Sequence, residues 1–311
     1  MKKLLLLITS LFILQAVHSQ EQSAVFSHYH ISPVLINPAY AGFNENHQLQ
    51  MNLRSQWTGF PESPKTYMIG YNGAWGKMIG GGLNIMSEKL GSMSRIRGQF
   101  NFSLRFKLKD VKLSSGLSFE THRITVANSI LDNPLYQQGD PIVEDAVDVG
   151  YNLVNAGLGF WAQIKEHTNV GLTFSNLITT NTGDSQSSVS DGSLKYAMLY
   201  LGHEFDIEEM NFKLQPSMLL QRTLGKPFQA DFNVKGSFID DKLIAGVSYR
   251  AGLGGAVGLL LGTNIDVFRL YYSYDVAFQG VQQYNGGTHE VTIAFDFKGG
   301  KKKFDRTPMN Q

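Results

Sequence analysis

Long runs in which apolar and polar residues alternate are the main feature of this chain. From Ile96 to Leu108 every second residue is apolar or glycine, and the residues between them are polar or cationic. A period of two is that of a β-strand, whose successive side chains point to opposite faces. Strands usually have about 5–6 residues, whereas a tilted strand that crosses a bilayer needs about 9–11. The run therefore predicts a membrane-spanning strand with one face toward lipid and the other toward a wet lumen.

The same alternation recurs along the chain and predicts about fourteen strands. The segments 268–278 and 289–297 repeat it with aromatic residues on one face. Segments 78–87 and 193–205 alternate poorly, so twelve or sixteen strands are alternatives. The predicted strands are 47–57, 65–75, 78–87, 94–109, 111–127, 149–164, 167–177, 193–205, 210–222, 226–238, 241–251, 254–266, 267–278 and 287–298.

The lengths of the connections give a second, independent indication of the fold. Connections after the even-numbered strands are tight, and those after the odd-numbered strands are mostly longer. The longer connections are predicted at 58–64, 88–93, 128–148, 178–192 and 279–286. Transmembrane barrels alternate short periplasmic turns with long external loops. We therefore predict an all-β fold, a transmembrane antiparallel β-barrel with both termini in the periplasm. A soluble β-propeller or sandwich is the alternative, but it gives no reason for the alternation.

The two ends of the chain predict export and a short tail. Lys2 and Lys3 precede an apolar run from Leu4 to Val17, which is followed by small residues suited to signal peptidase. No later apolar run approaches the about 20 residues of a spanning helix. The predicted organisation is a signal peptide at 1–19, an N-terminal periplasmic segment at 20–46, a barrel at 47–298 and a basic periplasmic tail at 299–311. The predicted location is the outer membrane of a Gram-negative bacterium.

Composition is consistent with a membrane barrel and excludes some chemistry. The chain has 32 glycines and 12% aromatic residues, and only 17% of its residues are charged, against about 25% in a typical soluble domain. It contains no cysteine, so disulfides and thiolate metal sites are excluded. A net charge of +1 gives no reason to expect a nucleic acid partner.

Motifs of catalysis are missing from the sequence. There is no P-loop, no G-x-S-x-G elbow and no H-E-x-x-H helix. His28 and His30 are two residues apart with no third ligand nearby, so contacts within the protein are favoured over a metal. His289 and Glu290 point to opposite faces of a strand and cannot act together. We predict a non-enzymatic protein without metal or cofactor, although an enzyme whose residues assemble at one rim stays open as an alternative.

Charged residues of the predicted lumen suggest where a partner binds. Arg95, Arg97 and Arg105 share the polar face of the strand at 94–109. The loop 128–148 contains Pro134 and Tyr136, which stiffen it. We predict that a partner segment contacts these three arginines together with this loop, because loops carry function more often than scaffolds do. The alternative for each arginine is an ion pair across the lumen, by which barrels ordinarily neutralise their own charges.

Four short segments resemble a known family. They are Phe26–Tyr29, Ile36–Gly42, Arg54–Phe60 and Gly287–Glu290, which read FSHY, INPAYAG, RSQWTGF and GTHE. This pattern resembles the PorP/SprF family of type IX secretion system outer-membrane proteins, found in the Bacteroidota, over essentially the whole mature chain. The resemblance implies a non-enzymatic component that supports secretion, surface attachment or gliding-adhesin retention through protein contacts. Its implied partners are other type IX secretion components, a large secreted surface adhesin, or both, besides outer-membrane lipid. A passive channel or hydrophobic-solute transporter is the alternative.

The second of these segments predicts a fixed turn before the first strand. Pro38 lacks a backbone donor and Gly42 permits positive φ, so 36–42 is not expected to be a strand. We interpret 20–46 as a periplasmic strap or a partial lumen plug, with a flexible leader as the alternative. The candidate partner-binding residues in the family-like segments are Asn37, Pro38, Tyr40 and Trp57.

Overall fold

The computed structural model describes residues 26–132, 134, 136–182, 196–223, 227–252, 255–278 and 285–298. The predicted signal peptide, the start of the predicted N-terminal segment and the predicted tail lie outside these residues. Among the helices within the described ranges, none is long and apolar enough to cross a membrane.

The described residues form fifteen antiparallel strands, which act as fourteen spanning strands. The short strand β9 continues β8 after a break at Glu204, and both pair with β10. The strands are β1 Asn46–Ser55, β2 Lys65–Trp75, β3 Ile79–Leu90, β4 Met93–Leu108, β5 Val111–Val126, β6 Tyr151–Ile164, β7 Thr168–Asn181, β8 Tyr196–His203, β9 Phe205–Ile207, β10 Phe212–Thr223, β11 Gln229–Phe238, β12 Leu243–Ala251, β13 Ala256–Ile265, β14 Phe268–Ala277 and β15 Thr288–Lys298.

The sheet closes on itself. With β8 and β9 taken as one spanning strand, each strand pairs with its sequence neighbours, and β15 pairs with β1 along the seam, where Arg54 lies opposite Glu290. Closure leaves no open edge, so every strand finds backbone partners without water, as a bilayer requires. The prediction of an antiparallel barrel of about fourteen strands is confirmed. The poorly alternating segment 78–87 falls largely on β3, and the described part of 193–205 falls largely on β8 and β9.

The connections divide the barrel into a tight-turn end and a loop end. At the tight-turn end the linkers are 76–78, 109–110, 165–167, 208–211, 239–242 and 266–267. The loop end carries 56–64 and 127–150, the latter with the helix α1 at Pro141–Asp148. The prediction of a longer loop at 88–93 is wrong, because β3 runs to Leu90 and β4 begins at Met93. Gly91 has a φ of 57°, which lets a two-residue turn close this hairpin.

Alternate residues of each strand face opposite environments. On β1 the side chains of Gln50, Asn52 and Arg54 are buried, whereas Met51 and Leu53 are 40% and 50% exposed. The outer wall is therefore apolar and suited to lipid, and the inner wall is polar. The buried polar side chains of the described barrel strands must find hydrogen-bond partners inside the lumen.

A segment of the chain itself fills this lumen. Residues 26–45, here called the lumen segment, form three short 3-10 helices, Ser27–His30, Pro33–Leu35 and Pro38–Tyr40, before β1 begins. Most residues from Phe26 to Phe43 are buried. The segment starts in the loop-end half of the lumen, near Glu290, and leaves at the tight-turn end, where Glu45 lies close to Lys112.

Candidate functional site

A buried carboxylate on β15 holds the start of the lumen segment. Glu290 is 1% exposed, and its two oxygens accept hydrogen bonds from the backbone N–H groups of Ser27, at 2.8 Å, and His28, at 3.1 Å. Arg54 Nη1 donates to the same carboxylate at 2.8 Å. Hydrogen bonds to ionised groups are about twice as strong as neutral ones. Glu290 thus balances the charge of a buried arginine and is the acceptor for two buried backbone N–H groups.

Arg54 extends this contact to a third strand. Its Nη2 lies 3.3 Å from Asp275 on β14, and the hydroxyl of Ser27 donates to the same carboxylate oxygen at 2.9 Å. Arg54 and Glu290 are opposite residues in the β1–β15 register, so barrel closure itself brings them together. We call Ser27, His28, Arg54, Asp275 and Glu290 the latch. The sequence marks Arg54 and Glu290 in separate family-like segments, but nothing in the sequence alone pairs them.

The histidine at the latch serves packing and hydrogen bonding. His28 Nδ1 lies 2.6 Å from the hydroxyl of Thr292 and 3.3 Å from Glu290. Burial lowers the pKa of His28 and of His30, so both rings favour the neutral form in the lumen. His28 thus contacts groups of the chain itself, and the absence of a metal at His28 and His30 stays a prediction.

The tight-turn half of the lumen segment is held mainly by neutral groups. The Asn37 amide donates to the carbonyls of Phe160, at 2.9 Å, and Leu172, at 3.2 Å, on two neighbouring strands. Its side-chain oxygen accepts the N–H of Ala39 at 2.9 Å and caps the third 3-10 helix. One asparagine thus fixes both the fold of the segment and its position against the wall.

Glycines on the wall let the backbone of the segment approach closely. A Cβ on Gly80, Gly116 or Gly159 would collide with Ala41, with Pro38 and Ala39, or with Asn37 and Pro38, respectively. Close backbone approach is one of the few reasons for glycine inside a strand. The wall at this level is shaped to receive the INPAYAG segment.

Arg105 completes the tight-turn half. Its guanidinium donates to the carbonyl of Gly42 at 2.6 Å and to those of Gly76, at 2.8 Å, and Ile79, at 3.0 Å. Ser103 donates to Ala41 O at 2.7 Å. This arginine, a candidate for partner binding, holds the chain's own segment.

The other two candidate arginines lie near the loop end and face acids on neighbouring strands. Arg95 Nη1 is 3.3 Å from Glu88, and Arg97 Nη1 is 3.9 Å from Glu120. These pairs correspond to the self-neutralising alternative. A partner role for Arg95 and Arg97 stays a prediction.

The structure does not gather the nine candidate residues at one place. Tyr136 donates to Glu144 at 2.9 Å within the loop 127–150, and Trp57 is 42% exposed in the loop 56–64. Tyr40 packs edge-on against Trp161, with ring centroids 4.9 Å apart, at the other end. Arg95, Arg97, Pro134, Tyr136 and Trp57 lie toward the loop end, whereas Asn37, Pro38, Tyr40 and Arg105 lie toward the tight-turn end.

One group at the tight-turn rim has the residue types of a metal site. Ligand atoms of His167, Glu204 and Asp206 lie within 4.8 Å of one another. Side chains of His167 and Asp206 are 46% and 38% exposed, and their closest atoms are 3.6 Å apart. Exposed acidic groups of this kind are common without a metal, so the cluster is no basis for a cofactor.

Filling the glycine-lined wall is expected to displace the lumen segment. Gly116→Leu places a side chain where Pro38 and Ala39 lie, and overpacking of this kind costs about 1–3 kcal/mol or more. Because the chain lacks cysteine, Ser32→Cys, buried beside Gln50, is a clean reporter of displacement. We expect maleimide labelling of this cysteine to be slow in the otherwise unchanged protein and fast with Gly116→Leu. Gly98→Leu is the matched control, since a Cβ there meets only Thr121 at 3.4 Å. Equal labelling rates in both variants would contradict the interpretation that the glycine-lined wall holds the lumen segment in place.

A closed barrel with an apolar outer wall and a polar, occupied lumen defines the class of outer-membrane β-barrel proteins. Residues 18–295 match the family described as type IX secretion system membrane protein PorP/SprF, and the chain belongs to this family. No curated protein matches it.

Solved barrels resemble the chain only distantly. The Acinetobacter baumannii outer membrane protein Omp33 is 9% identical, with a TM-score of 0.47 over 82% of this chain and 99% of that one. The Pseudomonas putida toluene transporter TodX is 9% identical, with a TM-score of 0.47 over 90% and 95%. The KdgM porin is 8% identical, with a TM-score of 0.40 over 81% and 99%. Similarity at this level transfers no ligand or activity.

Residues of the family-like segments form most of the latch and the part of the lumen segment that packs against the glycine-lined wall. FSHY and INPAYAG both lie in the lumen segment, whereas RSQWTGF and GTHE contribute Arg54 and Glu290. At the loop end Thr58 N–H donates to Gly287 O at 2.9 Å, which joins the last two segments to each other. The four segments, separate in the sequence, together build the contact between the lumen segment and the barrel wall.

Proposed function

We propose that this protein is a non-enzymatic outer-membrane component of the type IX secretion system whose lumen is closed by its own N-terminal segment. It supports secretion, surface attachment or the retention of a gliding adhesin through contacts with other proteins at its two ends. Membership of the PorP/SprF family supports a role in type IX secretion. The occupied lumen favours a role through contacts with other proteins over the conduction of solutes. The lumen segment is the observation that carries the proposal.

The contacts of the lumen segment favour a stable closure. Charged groups of three strands bind Ser27 and His28, and Asn37 bonds two strand carbonyls at the other end. Displacing the segment would exchange these hydrogen bonds for bonds to water in the opened lumen, and a typical bond of this kind contributes about 0.5–1.5 kcal/mol to the closed state. Partners such as other type IX components or an adhesin would then bind the loop end or the tight-turn end.

The proposed orientation follows the lengths of the connections. We place the tight-turn end in the periplasm and the loop end at the cell surface, because barrels have short periplasmic turns. The last described residue, Lys298, then lies on the periplasmic side. A passive channel or hydrophobic-solute transporter, the alternative, requires a continuous path through the lumen, and the lumen segment stands in that path.

Two measurements test the proposal together. In a strain that lacks this chain, we expect secreted type IX cargo at the cell surface to fall and to return when the chain is supplied. The purified full-length protein in a planar bilayer is expected to give no stable open current. Unchanged cargo in the deletion strain, combined with a large steady conductance of the purified protein, would establish the channel instead.

A further inference from the structure

A small polar cavity lies in the loop-end half of the lumen, between the lumen segment and the wall. Ser27 and Tyr29 form its inner side, and Asp231, Arg250 and Asp275 lie on strands β11, β12 and β14. The part of it that a water-sized group can occupy has a volume of about 10 Å³, which is room for one such group. Arg250 and Asp275 are each within three residues of the loop-end limit of their strands. The cavity is thus in reach of a group that enters from the loop end.

One acceptor in this cavity has no hydrogen-bond partner among the described residues. Asp275 Oδ2 accepts from Ser27 and faces Arg54, whereas Asp275 Oδ1 has no donor and is buried. The whole side chain is only 9% exposed. Buried polar atoms are nearly always satisfied in native proteins. The missing partner of Oδ1 therefore indicates a hydrogen-bond donor that comes from outside the described chain.

Gly258 lets Asp275 and Ser248 lie close to the backbone of β13. A Cβ at this position would lie 2.5 Å from Asp275 Oδ1 and would also collide with the hydroxyl of Ser248. Residue 258 sits opposite Asp275 in the β13–β14 register. A larger residue at 258 would therefore displace the carboxylate and the hydroxyl that line the cavity.

The charges around the cavity leave one negative charge uncompensated. Asp231 pairs with Arg250 at 3.1 Å, and Arg54 is shared between Asp275 and Glu290. Three carboxylates thus face two guanidinium groups in this part of the described chain. Burial lowers the pKa of His28, which disfavours a compensating charge on its ring. A cation satisfies both the free oxygen and the charge balance, whereas a water molecule satisfies only the first.

We propose that the cavity binds a primary ammonium group, such as the lysine side chain of a partner segment that enters at the loop end. An ammonium is a compact point charge with three donors, whereas a guanidinium is a broad planar fork, too wide for a cavity with room for one water-sized group. The partner assignment rests on the proposed function, in which proteins bind the ends of a closed barrel. The binding chemistry itself depends only on the cavity.

Titration of the purified full-length protein with short peptides tests the site. The probe is the tripeptide Gly-Lys-Gly with blocked ends, and its control is the same peptide with an acetylated lysine. Calorimetry is expected to show binding of the first about tenfold or more stronger than of the second, in line with a hydrogen-bonded charge. Asp275→Asn should weaken binding of the lysine peptide by about the same factor. Asp266→Asn, which removes an exposed charge from the far end of the same hairpin, should leave it unchanged.

A second variant separates loss of the site from loss of the latch. Gly258→Ala places a Cβ 2.5 Å from Asp275 Oδ1 and so obstructs the cavity. It should abolish lysine binding, and protection of Ser32→Cys from maleimide in the same variant shows that the lumen segment has stayed in place. Equal binding of the two peptides, or full binding of the lysine peptide by Gly258→Ala, would show that the cavity does not bind the ammonium group and would overturn the proposal. Peptide binding by a protein that also conducts freely would refute the proposed function and leave this site standing.

Discussion

Cutting the lumen segment away from a folded barrel is expected to open the lumen to ions. Asn44 and Glu45 are exposed, whereas Phe26 to Phe43 are mostly buried in the lumen. A protease site inserted between Asn44 and Glu45 therefore allows cleavage after folding, which avoids any dependence of folding on the segment. Planar-bilayer recordings should be silent before cleavage and after cleavage alone, and should show stepwise open currents once mild denaturant has extracted the released fragment.

The control places the same protease site between Gln137 and Gln138, in the exposed loop 127–150. Cleavage there followed by the same denaturant step should leave the bilayer silent, because the lumen contacts are unchanged. Mass spectrometry establishes whether the fragment has left. Silence of a barrel that has demonstrably lost the fragment would show that something other than the lumen segment closes it.

Removing the carboxylate of Glu290 is expected to destabilise the barrel more than any other single change considered. Glu290→Ala leaves the buried Arg54 with Asp275, at 3.3 Å, as its one acidic partner among the described residues and leaves two backbone N–H groups without their acceptor. Breaking a buried ion pair by removing one partner costs about 3–5 kcal/mol. Urea unfolding in detergent micelles, followed by heat-dependent gel mobility, measures the change in free energy of unfolding.

Two further variants make this measurement specific. Glu290→Gln keeps acceptor capacity without the charge, so it should cost less than Glu290→Ala. His289→Ala is the matched control on the same strand, since His289 faces outward, where its ring bonds Tyr272 at 2.7 Å. A surface change of this kind usually alters stability by about 0.5 kcal/mol or less. Equal losses from His289→Ala and Glu290→Ala would mean that the latch contributes nothing special.

The strands could be predicted from the sequence because their pattern is local. Alternation over ten or more residues depends on the two environments of a barrel wall. The predicted strand 94–109 therefore agrees with β4 to within one residue at each end. The predicted loop at 88–93 failed for a local reason as well. Leu90 and Met93 flank Gly91, whose left-handed φ closes a two-residue turn that alternation cannot reveal.

The roles of the lumen charges could not be predicted in the same way. Arg95, Arg97 and Arg105 have the same position in the alternation, yet Arg95 and Arg97 face acids on neighbouring strands and Arg105 bonds backbone carbonyls at 42, 76 and 79. The period of a strand specifies which face a residue occupies and nothing about its level in the lumen or its opposite neighbour. Which group each arginine contacts therefore depends on strand register and on the path of the lumen segment.

The sequence by itself determined the barrel, its outer and inner faces, and the segments that mark the PorP/SprF family, because these depend on periodicity and short motifs. Only the tertiary structure decided what the motifs do. Closure of β15 on β1 sets Arg54 against Glu290 across 236 residues, and the lumen segment folds back between strands to meet them. Contacts over such separations arise from the closed topology of the sheet, and no local pattern of residues contains that information.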